Sequence, residues 1–86
     1  MVKLERQLKA VANRRRLAIL SFLKKNKFAS VGEIAESIKL SFKATSKHLM
    51  ILGNVEILEK EQDSLQMFYS ISGRQTSVIK HLISIL

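Results

Sequence analysis

The chain has 86 residues and a mass of 9.8 kDa, enough for one hydrophobic core, so a single domain spanning residues 1–86 is expected. With 47% hydrophobic residues and no proline it should fold, while the absence of cysteine excludes a disulfide framework, a thiolate zinc site and a cysteine nucleophile. Its formal net charge of +8 favours a polyanionic partner such as nucleic acid.

Leu4, Leu8 and Val11 recur at i, i+4 and i+7, which predicts a helix from about Val2 to Ala12. Asn13 is a favoured N-cap, and Arg14 to Lys25 follows as a second helix that is apolar on more than one face and therefore buried. After a polar connector at Lys24 to Lys27, Ser30-Val31-Gly32-Glu33 fits a capping box that opens a short helix to Ile38. Ser41 caps a fourth helix with Thr45, Leu49 and Leu52 on one side and Lys43, Ser46, Lys47 and Met50 on the other, and Gly53 supplies its stop. From Ile57 a strand runs to Glu61, Gln62-Asp63-Ser64 turns, and Leu65, Met67, Tyr69 and Ile71 alternate with Gln66, Phe68 and Ser70 as the returning strand. The last segment places Val78, Ile79, Leu82, Ile83, Ile85 and Leu86 on one arc of a helix.

The charge is unevenly spread. Residues 1–27 hold nine basic side chains against one acidic, whereas residues 53–72 hold four acidic against one basic. No apolar run approaches the ~20 residues of a membrane span, and Met1 to Ala10 alternates charged and apolar residues where a signal peptide would be uniformly apolar. A soluble, cytoplasmic protein without a membrane partner is the expectation.

Two short helices joined by a tight turn, the second with a polar outer face, form the arrangement that lays a recognition helix in the major groove of double-stranded DNA. Ile34 to Leu52 has suitable lengths. In this reading Lys43 and Lys47 donate to guanine O6 and N7 or to phosphate, and Ser41 and Ser46 share the same outer face. A solvated helix face is the plainer alternative. Phe42 either packs against the preceding helix, the favoured option, or meets a thymine methyl. Arg14, Arg15 and Arg16 stand on the first turn of a helix, where the macrodipole already disfavours cations, so they form a phosphate clamp or a solvated basic turn. His48 lies between the two faces of its helix and suits a phosphate contact or a partly buried hydrogen bond. His48 and His81, the only histidines, lack the company that a transition-metal site needs, and no cofactor motif is present. The chain has no Ser-His-Asp order and no glycine-rich phosphate loop, so no enzyme is indicated.

Four segments, in order, resemble the ArsR-type winged-helix regulators. Leu8 to Leu20 resembles the family's L-x-A-L-A-N-P-T-R-L-x-I-L opening, and Ser30 to Ala35 its third-helix start. Leu40-Ser41 with Ser46, His48, Leu49 and Leu52 resembles its L-S-x-x-x-x-S-x-H-L-x-x-L recognition helix, and Phe68-Tyr69-Ser70-Ile71 its second wing strand. The resemblance spans about Leu4 to Ile71. It implies an α+β, mainly α, winged helix-turn-helix of four helices, a β-hairpin wing and a C-terminal helix. It also implies a homodimer built by the first and last helices, with Leu4, Leu8, Val78, Ile79, Leu82, Ile83 and Leu86 at the interface, and DNA binding relieved by an effector. Ser30 and Gly32 stand where metal-sensing members carry cysteines, and Arg14 and Arg15 replace Pro and Thr of the opening, while Arg16 matches it. The expected function is that of a dimeric, sequence-specific DNA-binding transcriptional regulator without a metal site. The alternative is a winged module that binds another protein, for which the acidic wing speaks, since Glu59, Glu61 and Asp63 accompany only Lys60 there.

Overall fold

A computed structural model describes residues 1–86. The element order is α1 (Val2–Val11), α2 (Arg14–Asn26), β1 (Phe28–Ser30), α3 (Val31–Ile38), α4 (Phe42–Asn54), β2 (Leu58–Asp63), β3 (Gln66–Ile71) and α5 (Ser77–Ser84). The predicted four helices, hairpin and final helix are present, and the sheet gains a third strand. β1 pairs antiparallel with β3, giving the order β1-β3-β2. Its three residues are too few to show an alternating pattern, and Ser30 at its end already carries a helix-start signal, so the sequence reads there as a connector.

Side-chain oxygens start three of the helices. Asn13 accepts from the Arg16 N–H, Ser41 Oγ from the Ala44 N–H, and Ser30 and Glu33 complete the reciprocal capping box at 3.1 and 2.8 Å. Gly53 does not stop α4, which continues to Asn54. The left-handed residue that turns the chain towards β2 is Glu56, with φ of 66°, and the Ile57 N–H closes the turn on the Leu52 carbonyl. The wing turn also falls later than expected. Asp63 pairs with Gln66, leaving Ser64 and Leu65 as a two-residue connection whose first member has φ of 59°, a conformation that suits the twist of a tight hairpin. Leu65 is therefore at the tip, not on the inward row with Met67, Tyr69 and Ile71.

One apolar core joins α2 (Ile19, Leu20, Leu23), α3 (Val31, Ile34), α4 (Leu49, Leu52) and the sheet (Ala29, Leu58, Tyr69) to Ile79 and Ile83 of α5. Ile79 is 0% exposed and Ile83 is also buried, so these two serve the core of their own protomer, which corrects their expected place at an interface. α1 turns a different face inward from its leucines. Its inward face is Gln7, Ala10 and Val11, which leaves Leu8 exposed and Leu4 half-buried. Gln7 is fully buried and satisfied at both ends: its Nε2 donates to the Val55 carbonyl at 2.8 Å and its Oε1 accepts from the Thr76 N–H at 2.9 Å. One side chain thus ties α1 to the end of α4 and the start of α5. No helix is long and apolar enough to cross a membrane.

Candidate nucleic-acid interface

α3 and α4 are joined by Lys39, Leu40 and Ser41, and the apolar residues of α4 decide its orientation. Thr45, Leu49 and Leu52 are buried, which turns Phe42, Lys43, Lys47 and Met50 out to solvent and leaves Ser46 half-buried between the faces. Phe42 is 62% exposed and lines a cleft with Val31 and Gly32 at the start of α3, so it covers the preceding helix only in part. Lys43 and Lys47 have no carboxylate partner. The ion pairs of the chain are Lys3 with Glu56 and Lys9 with Glu5, both at the surface and of small energetic consequence.

The three arginines at the start of α2 divide. Arg14 and Arg15 are exposed and unpaired at the N-terminal end of α2, a setting that attracts anions although Asn13 already caps the Arg16 N–H. Arg16 faces inward instead. Its Nε donates to the Ala10 carbonyl at the end of α1, and its Nη1 lies 3.1 Å from His48 Nδ1. This corrects its place in a free basic clamp: its guanidinium bridges α1, α2 and α4. An arginine only donates, so Nδ1 of His48 must accept and the ring proton sits on Nε2. Burial, followed by the charges of Arg16 and Arg15, holds the His48 pKa below its ordinary value and keeps the ring neutral. Half-buried on α4, His48 thus has its tautomer fixed, with an N–H left to donate elsewhere.

The wing separates its charges by strand alternation. Leu58 pairs with Ile71, Lys60 with Tyr69 and Gln62 with Met67, so Lys60 and Gln62 share the face that packs towards the helices. Glu59, Glu61 and Asp63 occupy the opposite, outer face with Ser70, Phe68 and Gln66. On that outer face Phe28 and Phe68 stack with centroids 4.8 Å apart. Lys60 borders a groove of about 370 Å³ between α4 and the wing, together with Met50, Asn54, Tyr69 and Arg74. Arg74, which follows β3, had no motif to reveal it, and only the packing of the strands brings it beside Lys60. No group of three or more histidine, aspartate and glutamate side chains comes together to hold a metal ion.

Exposed apolar side chains occur on both terminal helices, which touch each other. Leu8 on α1, Val78 on α5, and Ile85 and Leu86 just beyond α5 are exposed, with Leu4 and Leu82 half-buried beside them.

The family model described as bacterial regulatory protein, arsR family, matches residues 13–60. The transcriptional activator HlyU of Vibrio cholerae serotype O1 is 37% identical over 76 residues, covering 88% of this chain and 69% of that protein. The HTH-type transcriptional regulator YgaV of Escherichia coli K12 is 32% identical over 72 residues, covering 84% of this chain and 73% of that protein. Among solved structures, the homodimeric winged helix-turn-helix DNA-binding domain of Mb0332 from Mycobacterium bovis superposes with a TM-score of 0.84 at 26% identity, covering 98% of this chain and 74% of that one.

Proposed function

Because the chain belongs to the arsR family of bacterial regulatory proteins, we propose that it is a dimeric, sequence-specific DNA-binding transcriptional regulator, one domain over residues 1–86, that acts in the cytoplasm by occluding or recruiting at a promoter. The observation that carries this reading is the division of α4, whose buried Thr45, Leu49 and Leu52 hold an unpaired Lys43 and Lys47 outward on the helix whose His48 meets Arg16 of the first turn of α2. Lys43, Ser46 and Lys47 meet base edges or phosphates in the major groove, and Ser41 caps the helix that presents them. Neutral His48 donates from Nε2, Arg14 and Arg15 hold phosphate, and Lys60 supports the wing side. Arg16 acts through His48 as a positioning residue.

Dimerisation buries the apolar stripe of α1 and α5. Leu4, Leu8, Val78, Leu82 and Leu86 are among the apolar residues left uncovered or half-covered by their own protomer on two helices that touch, and exposed apolar surface of this kind marks an association site. With Ser30 engaged in a capping box and Gly32 beside it, the positions that resemble the family's cysteines provide no thiolate gate, so release of DNA answers to an effector of another kind.

The outer face of the wing favours a second reading, a module that contacts protein, because three unpaired carboxylates lie there with a stacked phenylalanine pair. A gel shift on random duplex at low and moderate salt separates the two. A DNA binder retards the duplex at low salt and loses it steeply as salt rises, while a protein-contact module retards nothing.

A further inference from the structure

Helical spacing puts Leu4 and Leu8 on one flank of α1 and Lys3, Arg6 and Lys9 on the other. Along the cationic flank runs a groove against the C-terminal half of α4. One part, of about 270 Å³, is bounded by Arg6, Lys9, Ala10, Arg16, Ile51 and Val55. The other, of about 400 Å³, shares Arg6 and Val55 and continues to Val2, Lys3, Asn54 and Glu56. The whole groove thus carries four cations and one carboxylate, and Lys3 already engages that carboxylate at 3.5 Å. Between the cations lie the apolar Ala10, Ile51 and Val55, and Ile51 is 38% exposed.

Arg16 sets the chemistry of this groove. A guanidinium presents five N–H donors in a planar fork. Here one meets the Ala10 carbonyl and one meets His48 Nδ1, which leaves three without a partner in the chain on a half-buried side chain. Arg6, outside both ion pairs, borders the same space. The two oxygens of a carboxylate match the fork, and a hydrocarbon chain behind them would take Ile51 and Val55 out of water. An inorganic anion would leave that apolar wall wet, and a neutral apolar molecule would leave the guanidinium unpaired. Ile51 and Asn54 lie roughly 12–16 Å along the axis from Lys43, away from the end of a recognition helix that meets base edges. A ligand here therefore reaches α4 through Arg16. We propose that the groove between α1 and α4 is an effector site for a small amphipathic carboxylate, whose head draws the Arg16 guanidinium off His48 while its chain lies along Ile51 and Val55. Resting on the DNA-binding reading above, the consequence is release: His48 loses the partner that fixes its tautomer, α4 loses one of its ties to α1 and α2, and affinity for duplex falls.

The test titrates the intact protein with sodium octanoate, followed by NMR without DNA, against acetate, inorganic phosphate and 1-octanol. Octanoate should saturate at about millimolar concentration, shift the His48 ring signals together with the amides of Ala10, Ile51 and Val55, and bind roughly tenfold more tightly than acetate, phosphate or 1-octanol. Arg6→Ala and Ile51→Glu, both at exposed positions outside the core, should fold as wild type by circular dichroism and each weaken octanoate binding about tenfold. In fluorescence anisotropy, saturating octanoate should weaken wild-type binding to duplex by roughly tenfold relative to matched acetate, and should affect Ile51→Glu less. Acetate, phosphate or 1-octanol binding as well as octanoate, or both variants binding octanoate as wild type does, would refute the effector site. Octanoate bound with the His48 ring unmoved and duplex affinity unchanged would refute the gate. If wild type binds no duplex, the DNA-binding reading fails, and the titration without DNA still decides the site.

Discussion

Replacing Arg16 by methionine keeps the aliphatic length of the side chain and removes its donors, which isolates the bridge between α1, α2 and α4. Two bonds are lost, Nε to the Ala10 carbonyl and Nη1 to His48 Nδ1. Bonds from a charged group contribute about 1.5–3 kcal/mol each, and the half-exposed setting of Arg16 favours the low end, giving roughly 3 kcal/mol for the pair. Total stability for a chain of this size is on the order of 4–13 kcal/mol, so the loss should be evident in a urea unfolding curve. The pH dependence should change with it. Burial and the neighbouring arginines lower the His48 pKa, so as pH falls the unfolded chain takes up this proton first. The stability that neutral His48 contributes is therefore complete above pH 6.5 and is lost as pH falls through 6.5 towards the folded value. Arg16→Met removes one of the two positive neighbours, so His48 should titrate closer to 6.5 by NMR and this acid loss should shrink. An unchanged urea midpoint with an unmoved His48 titration would refute the bridge.

Leu82→Asp places a charge in the α1–α5 stripe of both subunits and should convert dimer to monomer or aggregate; an unaltered dimer in sedimentation would contradict the interface. Lys43→Ala or Lys47→Ala should relax choice at one operator position at a cost of ~1–3 kcal/mol, whereas Arg14→Ala should weaken all sequences alike, and a binding-site selection with each variant distinguishes the two effects. Glu61→Lys with Asp63→Lys should tighten binding and steepen its salt dependence if the wing lies near phosphate. Silence would place these residues beyond a Debye length, ~10 Å at 0.1 M salt, and favour the protein-contact reading. A zinc titration should leave the DNA complex intact, and stoichiometric release at micromolar metal would reveal a missed site, with His81 its first suspect.

The helices were legible because their signals are local. Asn13, Ser30 and Ser41 cap where the sequence places caps, and the spacing of Thr45, Leu49 and Leu52 fixes which side of α4 turns inward. What the sequence hid depends on long-range pairing. β1 exists only against β3, the wing turn is set by the pairing of Asp63 with Gln66, and Gly53 misled because the left-handed position falls on Glu56. On α1 the spacing of Leu4, Leu8 and Val11 marks a helix, but Gln7 is buried through partners 48 and 69 residues away, and no periodicity announces that. The candidate site divides in the same manner. The outward lysines of α4 follow from helical spacing, while the contact of Arg16 with His48, 32 residues apart, and the groove that joins Lys60 to Arg74 emerge only from the packed chain. Amphipathic spacing also cannot say how an apolar arc is shared between core and partner, which is why Ile79 and Ile83 read as interface residues although both are buried in their own protomer.

The most direct test of the account is a selection of binding sites from random duplex by the intact protein. It should enrich an inverted repeat whose half-sites lie about one helical turn apart, 10–10.5 base pairs, bound with an affinity that falls steeply with salt. Failure to enrich any sequence, with no retention of duplex even at low salt, would contradict it.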